Sequence, residues 1–212
     1  MTIDKVETKE SIALGHYQKM RRLFLFVGIL IVGGAMMTIA SAWQNPAIPE
    51  RIELAGIALI WFGIIGRLWS ILYIGGHKSS MVIVDGPYSV MRNPLYFFST
   101  LAAIGVGFQT GTLTAGLLFG LLCYLAFSIV IRREEKHLRG IFGEPYAAYC
   151  TSVPRFFPNP SLFKDPETLN ISTRRLYSTL LDGLVFFVAM PLFELADYLQ
   201  NSGVIPVLFR LY

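Results

Sequence analysis

Two groups of charged residues stand at the ends of apolar segments of this 212-residue chain. Arg92 precedes one apolar segment, and the adjacent carboxylates Glu134 and Glu135 follow the next one. A charge beside lipid costs several kcal/mol unless it has a partner or a function. If the two segments between them form an out-and-back hairpin, the arginine and the carboxylates meet at one membrane face. This is the geometry of a site.

Each group also has an explanation that requires no ligand. Arg92 lies just before a helix that we expect to begin around Pro94, where a guanidinium and free N–H groups can hold a carboxylate. It could equally anchor that helix to lipid headgroups. Glu134 and Glu135 oppose the macrodipole if they end a helix, so they need local compensation. They point about 100° apart, so one could bind an ammonium while the other fixes a basic neighbour.

Arg67 and two tyrosines are further candidates. By helix rise, Arg67 lies about 10 Å inside the end of an apolar segment. An ionisable residue at that depth in a membrane is a candidate functional residue. Snorkelling towards the headgroups is the alternative. Tyr146 and Tyr149 share one helical face, where they either cover a pocket or lie at the membrane interface as an aromatic belt.

The composition places these residues in a membrane protein. Apolar residues make up 54% of the chain and charged residues only 15%, with a mean hydropathy of +0.54, whereas soluble domains average about 25% charged residues. The sequence contains no dense basic run with interleaved aromatics, so nucleic-acid binding is not predicted. Cys123 and Cys150 lack metal-ligand spacing, so no metal site is predicted. We expect an all-α bundle of about five transmembrane or re-entrant helices.

Apolar runs between helix breakers define the spans. The apolar region 95–131 is too long for one crossing, so we divide it at residues 109–112. Its first part reaches only about 21 Å and is therefore tilted, re-entrant or sheltered by neighbours. The last segment either spans with a polar stripe facing protein or lies in the interface; Asp182, Glu194 and Asp197 form that stripe. The predicted spans are Leu23–Trp43, Ile52–Ile74, Leu95–Phe108, Leu113–Ile131 and Leu176–Leu199.

The distribution of basic residues predicts the orientation. Of the 18 Lys and Arg residues, 15 lie in the segments 1–22, 75–94 and 132–175. By the positive-inside rule these segments are cytoplasmic. We therefore expect an integral membrane protein whose N-terminus and both polar clusters face the cytosol.

Taken together, these motifs resemble the isoprenylcysteine carboxyl methyltransferase family and its relatives, the phospholipid N-methyltransferases. The resemblance covers roughly residues 56–158, and the order and spacing of the motifs carry it. The matching pieces are Gly86-Pro87-Tyr88, Arg92-Asn93-Pro94-Leu95-Tyr96, Glu134-Glu135 with Leu138 and Phe142-Gly143, Tyr146, Tyr149 and Val153-Pro154-Arg155.

The resemblance implies a membrane enzyme with a cytosolic-side pocket for S-adenosylmethionine. Asn93 stands where the family usually has a histidine. The looser match around Gly63–Leu68 implies that Arg67 acts in catalysis by orienting an acceptor carboxylate. We divide the chain into a cytosolic segment 1–22, a methyltransferase core 23–158 and a C-terminal extension 159–212 with one further membrane or interfacial helix. The implied cofactor-binding residues are Gly86, Tyr88, Arg92, Asn93, Pro94, Tyr96, Glu134 and Glu135.

The acceptor is expected to be lipid-like, because a pocket between spans is open to membrane lipid. A hydrophobic carboxylate of the isoprenylcysteine type is favoured, and the alternatives are a phospholipid amine and a small thiol. A carboxylate needs no general base, whereas an amine must lose a proton, for which His77, His137 or a glutamate is a candidate. The competing hypothesis is a non-catalytic membrane scaffold or lipid-binding protein of the same fold.

Overall fold

The computed structural model describes Gly34 and residues 37–74 and 81–212. The predicted N-terminal segment 1–22, most of the predicted span Leu23–Trp43 and the candidate base His77 lie outside these residues. Within the described part, helices dominate, and three of the helical stretches are long and apolar enough to cross a membrane. This confirms the predicted helical membrane bundle.

Helix α1 runs Ala47–Ile74 and contains the whole predicted second span. It begins directly after the Asn45-Pro46 pair, where the Asn45 side-chain oxygen accepts a hydrogen bond from the Ala47 N–H at 3.0 Å. Its 28 residues give a length of about 42 Å, which exceeds the roughly 30 Å hydrocarbon core. The helix therefore crosses the membrane and extends beyond it.

The long apolar region divides where the sequence predicts. After the short helix α2, Pro87–Val90, helix α3 runs Pro94–Phe108. Helix α4 begins at Leu113, and its N-cap Thr112 accepts a hydrogen bond from the Ala115 N–H at 3.3 Å. The buried Gln109 side chain ties the intervening turn to α1 by donating to the Glu53 carbonyl at 3.0 Å. The short α3 is sheltered, because it packs between α1 and α4.

The end of α4 differs from the prediction. The helix continues past the predicted end of the span to Phe142 and stops at Gly143, whose φ of 60° favours glycine. Glu134 and Glu135 therefore lie about two turns inside the helix. Because the macrodipole acts mainly on the last turn, they do not oppose it as expected. Helix α5, Glu144–Ser152, follows.

The C-terminal segment contains one helical stretch that reaches across the bundle. Helix α6, Thr173–Leu184, continues through a 3-10 helix, Val185–Val188, into α7, Ala189–Asn201. The stretch is 29 residues long and packs antiparallel to α1. Its predicted polar stripe, Asp182, Glu194 and Asp197, is exposed among the described residues, so α1 does not cover it.

The C-terminal residues lie at the membrane face opposite the polar clusters. Strand β1, Ile39–Ser41, pairs in parallel with β2, Phe209–Leu211. The Tyr212 carbonyl then accepts a hydrogen bond from the Thr114 N–H at 2.7 Å at the start of α4. A short 3-10 helix, Pro160–Leu162, lies at the other end, next to α2.

The close packing of α1 on α3 generates a stability prediction. A Cβ at Gly63 would lie 2.7 Å from the Ala102 Cβ and from the Phe98 carbonyl oxygen. We expect Gly63→Ala to lower the free energy of unfolding by about 1–3 kcal/mol, because two helix backbones must separate. Thermal unfolding of the purified protein in detergent measures this change.

The matched control is Gly140→Ala on α4, where a Cβ would meet nothing within 4 Å. It should leave the stability unchanged or raise it by about 0.5–1 kcal/mol, as alanine does in a helix. Equal unfolding temperatures for the two variants would contradict the tight α1–α3 contact.

Candidate active site

A cavity of about 340 Å³ lies where α1, α3, α4 and α5 converge at the end that carries the polar clusters. Its volume is within the range of small-molecule sites. Residues far apart in the sequence form its wall, because the hairpin of α3 and α4 returns the chain to the same membrane face. The wall contains eight of the nine residues singled out from the sequence: Arg67, Tyr88, Arg92, Asn93, Pro94, Tyr96, Glu134 and Glu135.

Gly86 is the residue of that set that does not line the cavity. Its φ of 57° and the Tyr73 ring, which occupies the place of a Cβ, require glycine here. Its N–H donates a hydrogen bond to the Lys164 carbonyl at 2.7 Å. In the structure Gly86 shapes the turn behind the wall.

Glu135 is the centre of a buried charge cluster. Its Oε2 accepts a hydrogen bond from the Arg155 Nε at 3.0 Å and forms a salt bridge with the Arg155 Nη2 at 2.9 Å. The Arg92 Nε lies 3.5 Å from Oε1, which is close enough for a charge pair but lacks the alignment of a hydrogen bond. The Glu135 and Arg92 side chains are only 9% and 10% exposed. The carboxylate is therefore neutralised from two sides.

Glu134 has a different environment. Its Oε2 accepts one hydrogen bond, from the Tyr96 hydroxyl at 2.9 Å, and the residue is exposed. No Lys, Arg or His of the described residues forms a salt bridge with it. Of the two adjacent carboxylates, Glu134 is thus the one that keeps its charge available to a ligand.

Asn93 joins three parts of the site. Its side-chain nitrogen donates to Glu135 Oε1 at 3.3 Å and to the Arg155 carbonyl at 3.0 Å. Both amide protons are therefore used, and the side-chain oxygen is the atom left to accept a hydrogen bond. A histidine at this position has one proton on each ring nitrogen at most, so it would not reproduce both contacts from one atom.

Arg92 is placed as the sequence predicts, directly before a helix that begins at Pro94. Its backbone N–H donates to the Pro154 carbonyl at 2.9 Å, which ties it to the segment after α5. No side chain caps the N-terminus of α3. The guanidinium Nε is buried without a hydrogen-bond partner among the described residues, and the wall there can accept an anionic or oxygen-rich group.

Three tyrosines lie at the end of the cavity that carries the polar clusters. The Tyr149 hydroxyl donates to the Tyr88 carbonyl at 2.7 Å, and the Tyr88 hydroxyl is buried without a described partner. Burial, followed by the neighbouring Tyr149, raises the pKa of the Tyr88 hydroxyl well above its ordinary value. Burial likewise raises the pKa of Tyr146 and Tyr149. At neutral pH all three hydroxyls stay protonated and can donate hydrogen bonds.

Arg67 lies at the membrane end of the same cavity. Its Nη1 donates to the Ser99 hydroxyl at 2.5 Å, and Ser99 donates its own proton to the Leu95 carbonyl at 2.7 Å. The Arg67 Nε is buried without a described partner, and no described carboxylate forms a salt bridge with it. The Phe186 ring centre is 6.0 Å from the guanidinium carbon. Arg67 is thus a half-buried cation that has no salt bridge with the described residues, although the charge of Asp182 on α6 acts on it.

Some wall residues were not predicted from the sequence. Ser99 lies one turn after Tyr96 on α3, so the three-residue spacing was an available signal. Arg155 belonged to a recognised motif but had no assigned role. Thr179 had no sequence signal, because the position of α6 against α1 is a tertiary property. His137 is exposed and does not line the cavity.

Comparisons with known proteins show what the chain as a whole is similar to. The sequence model of the phospholipid methyltransferase family matches residues 52–145. The cobalt-zinc-cadmium resistance protein CzcN of Cupriavidus metallidurans is 30% identical, over 78% of this chain and 76% of its own length. The nickel-cobalt-cadmium resistance protein NccN of Alcaligenes xylosoxydans is 32% identical, over 77% and 76%.

A third relative carries a methyltransferase name. The protein-S-isoprenylcysteine O-methyltransferase of Schizosaccharomyces pombe is 33% identical over 39% of this chain and 35% of its own length. No solved structure matches the chain. Among the described residues, no group of three or more His, Cys, Asp or Glu side chains could hold a metal ion.

The different environments of the two carboxylates generate a prediction. Glu135→Gln removes the charge that compensates the buried Arg92, and we expect a loss of about 3–5 kcal/mol of unfolding free energy. The same change at the exposed Glu134 should cost less than about 1 kcal/mol. Urea unfolding in mixed micelles compares the two variants directly, and equal losses would show that Glu135 has no special structural role.

Proposed function

The chain belongs to the phospholipid methyltransferase family, and from this premise we propose that it is an integral membrane enzyme that methylates a hydrophobic carboxylate with S-adenosylmethionine as donor. One observation carries the proposal. The Glu134 carboxylate and the Arg67 guanidinium line one cavity, and neither forms a salt bridge with the residues that the structure describes. Their hydroxyl partners Tyr96 and Ser99 lie three residues apart on α3, about 4.5 Å along the helix axis.

The residues at the cytosolic end suit the donor. Glu134 offers a charge-assisted hydrogen bond to its ammonium group. The Arg92 Nε and the Tyr88 hydroxyl are buried and make no hydrogen bond with the described residues. They offer donors to its carboxylate and ribose oxygens. Asn93 adds a free acceptor oxygen. The cavity therefore presents partners for the ammonium, the carboxylate and the ribose of S-adenosylmethionine.

Methyl transfer to a carboxylate requires correct positioning of donor and acceptor and the exclusion of water more than it requires acid–base groups. When bound, S-adenosylmethionine supplies a methyl group on a positively charged sulfur, and the acceptor oxygen takes that methyl while the carbon–sulfur electron pair returns to sulfur. Arg67 would hold the acceptor carboxylate, and Ser99 keeps the Arg67 guanidinium in place. A carboxylate is already deprotonated at neutral pH, so no residue has to remove a proton. Apolar side chains such as Ile71 and Phe127 exclude water from the cavity.

The charge of Arg67 favours a carboxylate acceptor. A half-buried guanidinium that has no salt bridge with the described residues gains a charge-assisted contact from a ligand anion. The isoprenylcysteine relative is named for methyl transfer to oxygen, which agrees with this class. The second candidate is a phospholipid amine, which the name of the family supports; Glu134 would then have to hold the amine or take its proton.

Donor binding tests the first half of the proposal. We expect Glu134→Ala and Arg92→Ala each to weaken S-adenosylmethionine binding at least about tenfold, since each removes a charge-assisted contact. Isothermal titration of the protein in lipid nanodiscs measures the Kd. Lys136→Ala, an exposed charge on the same helix, is the control and should leave the Kd unchanged.

Unchanged donor binding in both site variants would refute these assignments. An intact wild-type protein that binds no S-adenosylmethionine would instead favour the non-catalytic scaffold.

Product chemistry tests the second half. Protein incubated with methyl-labelled donor and N-acetyl-S-farnesylcysteine should form a methyl ester, which releases labelled methanol in alkali, whereas an N-methylated lipid does not. We expect Arg67→Met to raise the acceptor KM at least about tenfold through the lost charge contact, with the donor Kd unchanged. Label that resists alkali and appears in total membrane phospholipid would favour the amine acceptor.

A further inference from the structure

The C-terminal extension reaches the acceptor end of the cavity. The family match ends at residue 145, yet Thr179 of α6 lines the cavity and is only 8% exposed. The Phe186 ring from the following 3-10 helix faces the Arg67 guanidinium at 6.0 Å. Residues outside the matched region therefore contribute to the wall around Arg67.

The packing of α6 on α1 fixes this position. A Cβ at Gly183 would lie 3.2 Å from the Ile64 Cγ1, so the two helices approach closely at this point. One turn further along, the Phe187 and Trp61 ring centres are 5.0 Å apart. Because the helices run antiparallel, Thr179 lies about 6 Å from Gly183 towards the cytosolic end, at the level of Arg67.

The two side chains differ in what they offer a ligand. The Thr179 hydroxyl makes no hydrogen bond with the residues that the structure describes, although helical threonines commonly donate to a carbonyl of the preceding turn. It is a donor available to a ligand in the cavity that Arg67 also lines. The Phe186 ring lies over that guanidinium in the manner of a cation–π contact and restricts its movement.

We propose that Thr179 and Phe186 determine the selectivity for the head group of the acceptor. Arg67 and Thr179 hold the two oxygens of one carboxylate, and Phe186 keeps the guanidinium against Ser99. This inference rests on the proposed function and extends it, because it assigns acceptor recognition to the helix that the family match does not include. The donor end of the cavity, around Glu134 and Arg92, has no part in it.

The test separates acceptor from donor binding in the full chain in lipid nanodiscs, with N-acetyl-S-farnesylcysteine as the probe. Thr179→Val keeps the side-chain shape and removes the hydroxyl, and we expect the acceptor KM to rise about five- to tenfold. Thr179→Ser restores the hydroxyl and should return the KM to within about twofold of the wild type. Phe186→Leu should raise it about threefold, and Phe186→Tyr should not.

In all four variants the kcat and the Kd of S-adenosylmethionine should stay at their wild-type values, which a general loss of structure would not allow. Ser178→Ala, at the exposed neighbour on the same helix, should change neither constant. An unchanged acceptor KM in Thr179→Val, or an equal rise of the donor Kd, would overturn the inference. A wild-type protein that binds the donor but does not methylate this carboxylate would also overturn it, whereas a failure to bind the donor would overturn the proposed function itself.

Discussion

The buried charge cluster around Glu135 is the interaction on which the site depends. Its carboxylate joins α4 to Arg92, which precedes α3, and to Arg155, which follows α5. Without this carboxylate, one buried arginine would lack a partner, and the three chain segments would have no common polar contact. Asn93 adds a hydrogen bond to the same carboxylate and to the Arg155 backbone. The wall of the cavity around Glu135 is therefore held by charge as well as by packing.

Because Glu135 is fully compensated, the neighbouring Glu134 is left with a neutral partner. One helical turn deeper, Arg67 is in the same situation with Ser99 as its neutral partner. A cavity lined by a carboxylate and a guanidinium that form no salt bridge with the described residues suits two ligands that carry opposite charges. The hairpin of α3 and α4 supplies Glu134, and α1 supplies Arg67. The C-terminal helix lines the cavity beside Arg67.

Features that depend on local sequence were predictable. The lengths of the uncharged segments and the positions of helix-breaking residues located the turn at residues 109–112 and the start of α3 at Pro94. Both features depend on only a few neighbouring residues. The meeting of Arg92 with the acidic pair followed from the same hairpin. Features that depend on tertiary packing were not. The continuation of α4 to Phe142, the partner of Arg67 and the approach of Thr179 all require knowledge of which helices touch, and no local pattern encodes that.

A structure of the protein with S-adenosylhomocysteine, determined in lipid nanodiscs, is the most direct test of this account. The account predicts that the amino group of the ligand contacts Glu134, that its carboxylate lies near Arg92 and Tyr88, and that Glu135 remains paired with Arg155. A ligand bound outside this cavity, or one that displaces Arg155 from Glu135 to occupy that carboxylate, would contradict it.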